Sequence, residues 1–324
     1  MNMRESIISF PEQFAFSPEI RYGEFLTRER KTIVIAGMGG SRLAADLCAM
    51  CYPRMRIIVH ADYGLPHLPD DAWKDSLVIA SSYSGNTEEA LDAFAEAGKR
   101  GLPRAALTAG GKLLDAAHKR NIPYVRLPSG FQPRIAIGYA FKGLLALLGE
   151  NQGLYDASLL VQSLDSSESE KRGRALAEKL VGKVPLVYAS SANKPIAYQW
   201  KTAFNETAKV PSFINVFPEL NHNEMTGFDT GEAMREAAAH YAFILLKDAS
   251  DDARVAKRMD VFGELMTSRS FSVHEVLLEG EHQFKKIFQS LLYAHWAAFT
   301  LAERYGVDPE AVPMVEDFKK RIAS

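Results

Sequence analysis

Short unbroken apolar runs alternate along the chain with longer segments whose apolar residues recur every three or four positions. Residues 31–36 (KTIVIA) read as a strand buried on both faces, and 41–50 then take helical spacing. Residues 55–60 and 76–80 predict a second and a third strand, followed by a helix over 87–100. A fourth strand at 104–107, a helix near 113–120 and a fifth strand at 123–127 close the series. Apolar runs without period-two alternation, separated by helices, predict a parallel sheet covered on both faces.

The polar stretch 165–170 (DSSESE) interrupts the pattern as a loop or a helix start. A second series follows, with strands at 184–189, 241–247 and 271–278 and helices at 196–208, 252–266 and 282–305. The expectation is an α/β protein of two similar halves, residues 1–160 and 161–324. At ~150 residues per domain, a chain of 324 residues suits two domains.

Composition narrows the function classes. A hydrophobic share of 47% with 24% charged residues is that of a globular protein, which excludes a disordered chain, a collagen-like fibre and a disulfide scaffold. Lys and Arg number 38 against 40 Asp and Glu, a net charge of −2, so no global basic field holds nucleic acid or an anionic membrane. Any bound anion must be held by a local device. The longest apolar stretch, 143–149, is far short of the ~20 residues that span a bilayer. The N-terminus carries Glu5 and no apolar run, and there are two cysteines, so a cytoplasmic protein is expected.

Two turns carry chemistry. Gly37-Met38-Gly39-Gly40-Ser41 links a predicted strand to a predicted helix, where glycines let a ligand approach the backbone and the helix N-terminus favours an anion or a sugar hydroxyl. The dinucleotide pattern G-x-G-x-x-G fails here at Arg42, although Asp62 after the second strand could still stand for a ribose-binding acid. A tight turn with no ligand is the plainer alternative. The second turn, Ser81-Ser82-Tyr83-Ser84-Gly85-Asn86-Thr87, offers the hydroxyls of Ser82, Ser84 and Thr87 at a helix N-terminus, a neutral cradle for a phosphate. Helix capping by Ser84 or Asn86 would account for one of those side chains, not three hydroxyls in six residues.

These two turns resemble the sugar isomerase (SIS) domain. Pro128-Ser129-Gly130-Phe131-Gln132-Pro133-Arg134 with Gly138-Tyr139, Asn205-Glu206-Thr207-Ala208-Lys209, and Pro218-Glu219-Leu220-Asn221-His222-Asn223-Glu224 narrow the resemblance to the bifunctional phosphoglucose/phosphomannose isomerases, over residues 31–322. The resemblance implies two flavodoxin-like αβα sandwiches with parallel sheets, acting on hexose 6-phosphates through a cis-enediolate. Gly39, Gly40 and Ser41 would line the sugar, and Ser82, Ser84 and Thr87 would hold the phosphate. Glu206 would move the proton between C1 and C2, since one base must reach both carbons. Arg134 would stabilise the enediolate charge, and His222, with Lys319, would open the sugar ring. In this superfamily the histidine comes from the partner subunit, which implies a homodimer. No cofactor and no metal are implied.

Other readings stay open. Glu219, His222 and Glu224 could ligate a metal, although one histidine with carboxylates is a thin set for zinc. Lys320 competes with Lys319, and a cationic last helical turn explains both. Arg42, and His295 within Tyr293-Ala294-His295-Trp296, depart from the family pattern and bear on substrate range. Cys48 and Cys51 have redox spacing, but they fall at the far end of a predicted helix and read as packing. A non-catalytic sugar-phosphate sensor, or an isomerase of another sugar phosphate, is the rival function.

Overall fold

A computed structural model describes residues 1–26, 30–229 and 231–322. Ten strands occur among them: β1 (Ile20–Arg21), β2 (Thr32–Ala36), β3 (Arg56–His60), β4 (Ser76–Ser81), β5 (Arg104–Thr108), β6 (Tyr124–Arg126), β7 (Val184–Ser190), β8 (Phe213–Phe217), β9 (Tyr241–Lys247) and β10 (Ser272–Leu277). The chain divides into two compact units, one of residues 8–164 with Met1, the other of residues 2–7 and 165–324. Each has an open sheet with helices on both faces, the flavodoxin-like αβα arrangement that the resemblance implies.

In the first unit the sheet order is β1-β6-β5-β4-β2-β3. Five strands are parallel, and β1 adds an antiparallel edge that the apolar pattern did not announce. β2 is buried at every position, as its unbroken Thr-Ile-Val-Ile-Ala run requires between two helical layers. Val34, Val78, Trp73 and Ala97 form one core, and Ala80, Ala106, Phe94, Leu113 and Tyr124 another. The helix Ile137–Leu148, absent from the sequence reading, is apolar on nearly all sides and lies wholly inside except at its last residue and Tyr139. Gly149, left-handed at φ +75°, ends it.

In the second unit the order is β10-β9-β7-β8, all parallel. Leu186, Tyr188, Phe217, Phe243 and Phe262 make an aromatic core on one face, with Phe243 and Phe262 edge to face at 5.2 Å. The stretch 165–170 is a helix start: Asp165 Oδ1 accepts from Glu168 N at 2.8 Å and caps Ser166–Leu180. That helix packs on Gln283–Tyr305 through Gly173, where an added Cβ would lie 2.4 Å from Trp296 Cβ and 2.9 Å from the Ala297 nitrogen. Residues 2–7 join this unit, with the Arg4 and Arg174 guanidinium groups 6.0 and 5.4 Å from the Trp296 ring centre. No helix among the described residues is long and apolar enough to cross a membrane.

Gly173→Ala gains about 1 kcal/mol of helix propensity. It must also push two helix backbones apart, an overpacking cost of about 2–3 kcal/mol. The expected result is a net loss of about 1–2 kcal/mol, read as a lower urea midpoint. A midpoint at or above the wild-type value would contradict this packing.

Candidate functional site

In an open parallel sheet, ligands bind beyond the carboxyl ends of the strands, where the strand order reverses. In the first unit that point lies between β2 and β4, because β3 flanks β2 on one side and β4 on the other. Both predicted turns leave the sheet there.

The first turn begins the helix Gly39–Cys51. Gly39 is left-handed at φ +50°, and a Cβ on it would meet nothing within 4 Å. Gly40 has the opposite problem. A Cβ there would lie 2.6 Å from the carbonyl carbon of Pro133 and 2.9 Å from the Arg134 nitrogen. Glycine thus lets the backbone of 133–134 close onto the turn. Ser41 is buried, and its Oγ accepts from Tyr83 N at 2.8 Å. Its hydroxyl therefore ties the two turns together. Arg42 is drawn along its helix by Asp46, Nε to Oδ2 3.2 Å. The two cysteines at the far end of that helix are free thiols, and burial pushes Cys51 up to about 12, so neither behaves as a thiolate nucleophile.

The second turn divides its three hydroxyls. Ser82 is fully buried. Its Oγ accepts from Gly85 N (3.1 Å) and shares a 2.8 Å hydrogen bond with Thr87 Oγ1. Ser82 thus shapes the loop from within. Ser84 is exposed and Thr87 half-buried at the start of the helix Glu88–Lys99. Gly85, at φ +70°, is pressed against the turn after β5: an added Cβ would lie 1.7 Å from the Gly110 oxygen. Leu113 N donates to Gly85 O at 2.9 Å and Lys112 N to Asn86 Oδ1 at 3.2 Å, so the loop is braced along its length.

Arg134 is 2% exposed, in the turn that enters the helix Ile137–Leu148. Gln13, from the 3-10 helix Phe10–Ala15, holds that entry. Its Nε2 donates to Ile135 O (2.8 Å), and its Oε1 accepts from Gly138 N (3.0 Å). The first unit therefore gathers Gly39, Gly40, Ser41, Ser82, Ser84, Thr87 and Arg134 around one switch point. Two organisers escaped the sequence reading. Gln13 carries no local signal, and Tyr83 is flagged only by its place among the hydroxyls.

The second unit treats its own switch point differently. Between β7 and β9, Asn193 Nδ2 donates to Asp251 Oδ1 (3.2 Å) and Lys286 Nζ to Asp248 Oδ1 (2.7 Å). Burial and the neighbouring Asp248 push the Asp251 carboxyl upward. Two carboxyl groups, one of them paired with Lys286, thus occupy that crevice.

Glu206 sits half-buried in a single π-helical turn, Phe204–Ala208, that follows the helix Lys194–Ala203. Sequence spacing predicts one α-helix over 196–208, and the structure ends the α-helix at Ala203. The wider turn ends at Lys209, left-handed at φ +56°, whose Nζ donates to Glu206 O at 2.7 Å. Asn205 Oδ1 accepts from Ser212 N at 2.8 Å, and so fixes the turn beside the start of β8. A wide last turn that closes on a left-handed residue is an ordinary way for a helix to end.

His222 is exposed, in the 3-10 turn Glu219–His222 beyond the carboxyl end of β8. Glu224 anchors that segment by accepting hydrogen bonds from Tyr188 Oη and Asn215 Nδ2. Burial first, and then Glu224, push the Tyr188 phenol well above its usual range. Glu224 is thus engaged with the sheet, and among the described residues no three His, Cys, Asp or Glu side chains form a group that could hold a metal ion. Met225 and Phe228, just past His222, pack on the Phe262 face of the sheet. The helix leading to Glu206 packs on the other face, where Trp200 Nε1 donates to Ser290 Oγ of Gln283–Tyr305 at 2.9 Å. The Glu206 turn is tied to the amino end of β8, and His222 follows its carboxyl end. Lys319 lies in the helix Pro313–Ile322, which has no buried residue.

Comparison with known proteins agrees with this architecture. Residues 169–322 match the family described as the bacterial phospho-glucose isomerase C-terminal SIS domain. The chain is 34% identical over 325 residues to a bifunctional phosphoglucose/phosphomannose isomerase of Thermoplasma volcanium, covering 100% of both chains. It is 33% identical over 301 residues to another such enzyme of Aquifex aeolicus, covering 90% of each. Its fold superposes on glucosamine-6-phosphate deaminase from Thermotoga maritima with a TM-score of 0.70, at 16% identity and 96% coverage of each chain. Full-length similarity at that level places the chain in the SIS-domain sugar-phosphate isomerase family to which the bifunctional phosphoglucose/phosphomannose isomerases belong.

Proposed function

We propose that this protein interconverts fructose 6-phosphate with glucose 6-phosphate and mannose 6-phosphate through a cis-enediolate. The observation that carries the reading is the convergence of a glycine turn, a hydroxyl-rich turn and a buried arginine at one switch point of the first sheet. Such a point suits a phosphorylated sugar. Ser84, Thr87 and the backbone at the start of Glu88–Lys99 hold the phosphate, with Ser82 shaping the loop. Gly39, Gly40 and Ser41 border the sugar. Arg134, which keeps its charge when buried, faces the enediolate oxygens. Glu206 carries the proton between C1 and C2.

Ring opening falls to His222 and Lys319, with His222 supplied by the partner of a homodimer. What supports this is the separation of Glu206 from His222 along β8: one chain holds the base beside the amino end of that strand and the imidazole past its carboxyl end. A second copy could supply the imidazole that the base of the first lacks. The reaction needs no metal in this scheme, because Arg134 supplies the positive charge.

Steady-state conversion of fructose 6-phosphate in EDTA tests the proposal. Turnover to both aldose phosphates, inhibited competitively by inorganic phosphate, is the expected result. A folded protein that binds hexose 6-phosphates and turns none over would replace the isomerase with a sensor.

A further inference from the structure

We infer that Tyr83 is a positioning residue that couples occupancy of the phosphate loop to the placement of Arg134; the inference rests on the site reading above. Tyr83 lies between Ser82 and Ser84, so its backbone belongs to the phosphate loop. Its N–H donates to Ser41 Oγ (2.8 Å), and its carbonyl accepts from Ala109 N (3.0 Å). Its side chain leaves the loop altogether. The phenol donates to Pro128 O at 2.8 Å and accepts from Phe131 N at 3.2 Å. One residue thus touches the glycine turn, the turn after β5 and the segment that leads into Arg134.

The phenol suits this task. It makes one donated and one accepted hydrogen bond, the full capacity that a strut between two backbone groups can use. Burial pushes its pKa upward, so the donated proton is retained at neutral pH. Two further contacts hold the segment. Gly40 abuts the backbone at Pro133 and Arg134, and Gln13 binds Ile135 O and Gly138 N. Phe131, whose amide the phenol receives, packs its ring on Tyr139 at 5.2 Å, which carries the restraint into the helix beyond Arg134. Tyr83 is therefore a direct connection between the loop that meets the phosphate and the segment that carries the cation.

A bound phosphate orders Ser84 and Thr87 on either side of the loop's tip. Through Tyr83, that ordering reaches Arg134 before proton transfer. Remote binding energy of the phosphate is thereby used to orient the group that meets the developing charge, since a misplacement of about 1 Å can cost a hundredfold in rate.

Amide hydrogen exchange with inorganic phosphate as the probe tests this without relying on turnover. In the wild-type protein, phosphate is expected to slow exchange severalfold both at 82–88 and at 128–136. In Tyr83→Phe, which keeps the ring and loses both hydrogen bonds, protection at 82–88 should remain and the effect at 128–136 should vanish. Protection confined to 82–88 in the wild type would overturn the inference without any variant. Persistence at 128–136 in Tyr83→Phe would overturn it as well.

A kinetic cycle adds a readout that a merely structural role would not move. Tyr83→Phe should lower kcat about ten- to a hundredfold with KM changed less than about threefold. In an Arg134→Gln background the same change should cost less than about twofold, because the strut then has no cation to place. Equal losses in both backgrounds would contradict the coupling. Should the wild type isomerise no hexose 6-phosphate, the isomerase reading fails, and the exchange experiment still decides the role of Tyr83.

Discussion

Glu206→Gln is expected to reduce isomerisation by about three to four orders of magnitude, while hexose 6-phosphate binding stays within severalfold. A positioned base contributes about 10²–10⁴ in rate. Here a single carboxylate would serve both the removal and the return of the proton, which places the expected loss at the upper end, about 4–5.5 kcal/mol of barrier. Gln keeps the shape of Glu and accepts hydrogen bonds, but it cannot take a proton at neutral pH. Two hydrogen bonds of the turn run through the Glu206 carbonyl and the Asn205 side chain, and the substitution leaves those two in place. Steady-state rates together with equilibrium binding of fructose 6-phosphate check the prediction. Turnover within tenfold of wild type would remove Glu206 from the reaction, and parallel loss of binding would make it a ligand-holding residue.

Gly85→Ala is expected to have the largest effect on stability at the switch point. A left-handed backbone costs a residue with a Cβ about 1–2 kcal/mol. The added carbon would also lie 1.7 Å from the Gly110 oxygen, which is itself held at 2.8 Å by the Thr108 hydroxyl. Moving that carbonyl adds about 1–3 kcal/mol of overpacking and lost hydrogen bonding. The expected total is about 2–5 kcal/mol, whose upper end only backbone clashes and similar defects reach. Gly39→Ala is the matched control: its φ is +50°, but a Cβ there meets nothing within 4 Å, so only the conformational cost of about 1–2 kcal/mol applies. Urea unfolding of the two variants separates the terms. Equal midpoints would show that Gly85 serves conformation alone and that the loop is not pressed against the turn after β5.

Local pattern revealed the elements whose apolar content matches their period. β2, β4 and β9 are continuous apolar runs and were readable as buried strands. β8 was not: it is five residues long, lies between Pro211 and Pro218, and exposes Phe213. The helix Ile137–Leu148 escaped because burial on nearly every side removes the amphipathic stripe by which helices are recognised. The π turn at Glu206 adds no residue type that an α-helix would refuse, and tertiary contacts, not composition, reveal it.

The site was legible to a similar depth. Residue chemistry and family resemblance picked out the two turns and Arg134, and the fold assembles them at one switch point. Side-chain direction was beyond reach, so Ser82 looked like Ser84 until burial separated an internal hydroxyl from an exposed one. Tyr83 was invisible as an organiser because its phenol partners stand 45 and 48 positions away, at Pro128 and Phe131.

Proton NMR of the reaction in D₂O, with fructose 6-phosphate, the purified protein and EDTA, bears most directly on the proposed chemistry. An enediolate handled by a carboxylate exchanges protons with solvent, so glucose 6-phosphate and mannose 6-phosphate should both appear with deuterium at C2. Products formed without any solvent deuterium would contradict a base whose proton exchanges with solvent, and the absence of product from folded protein would contradict the isomerase itself.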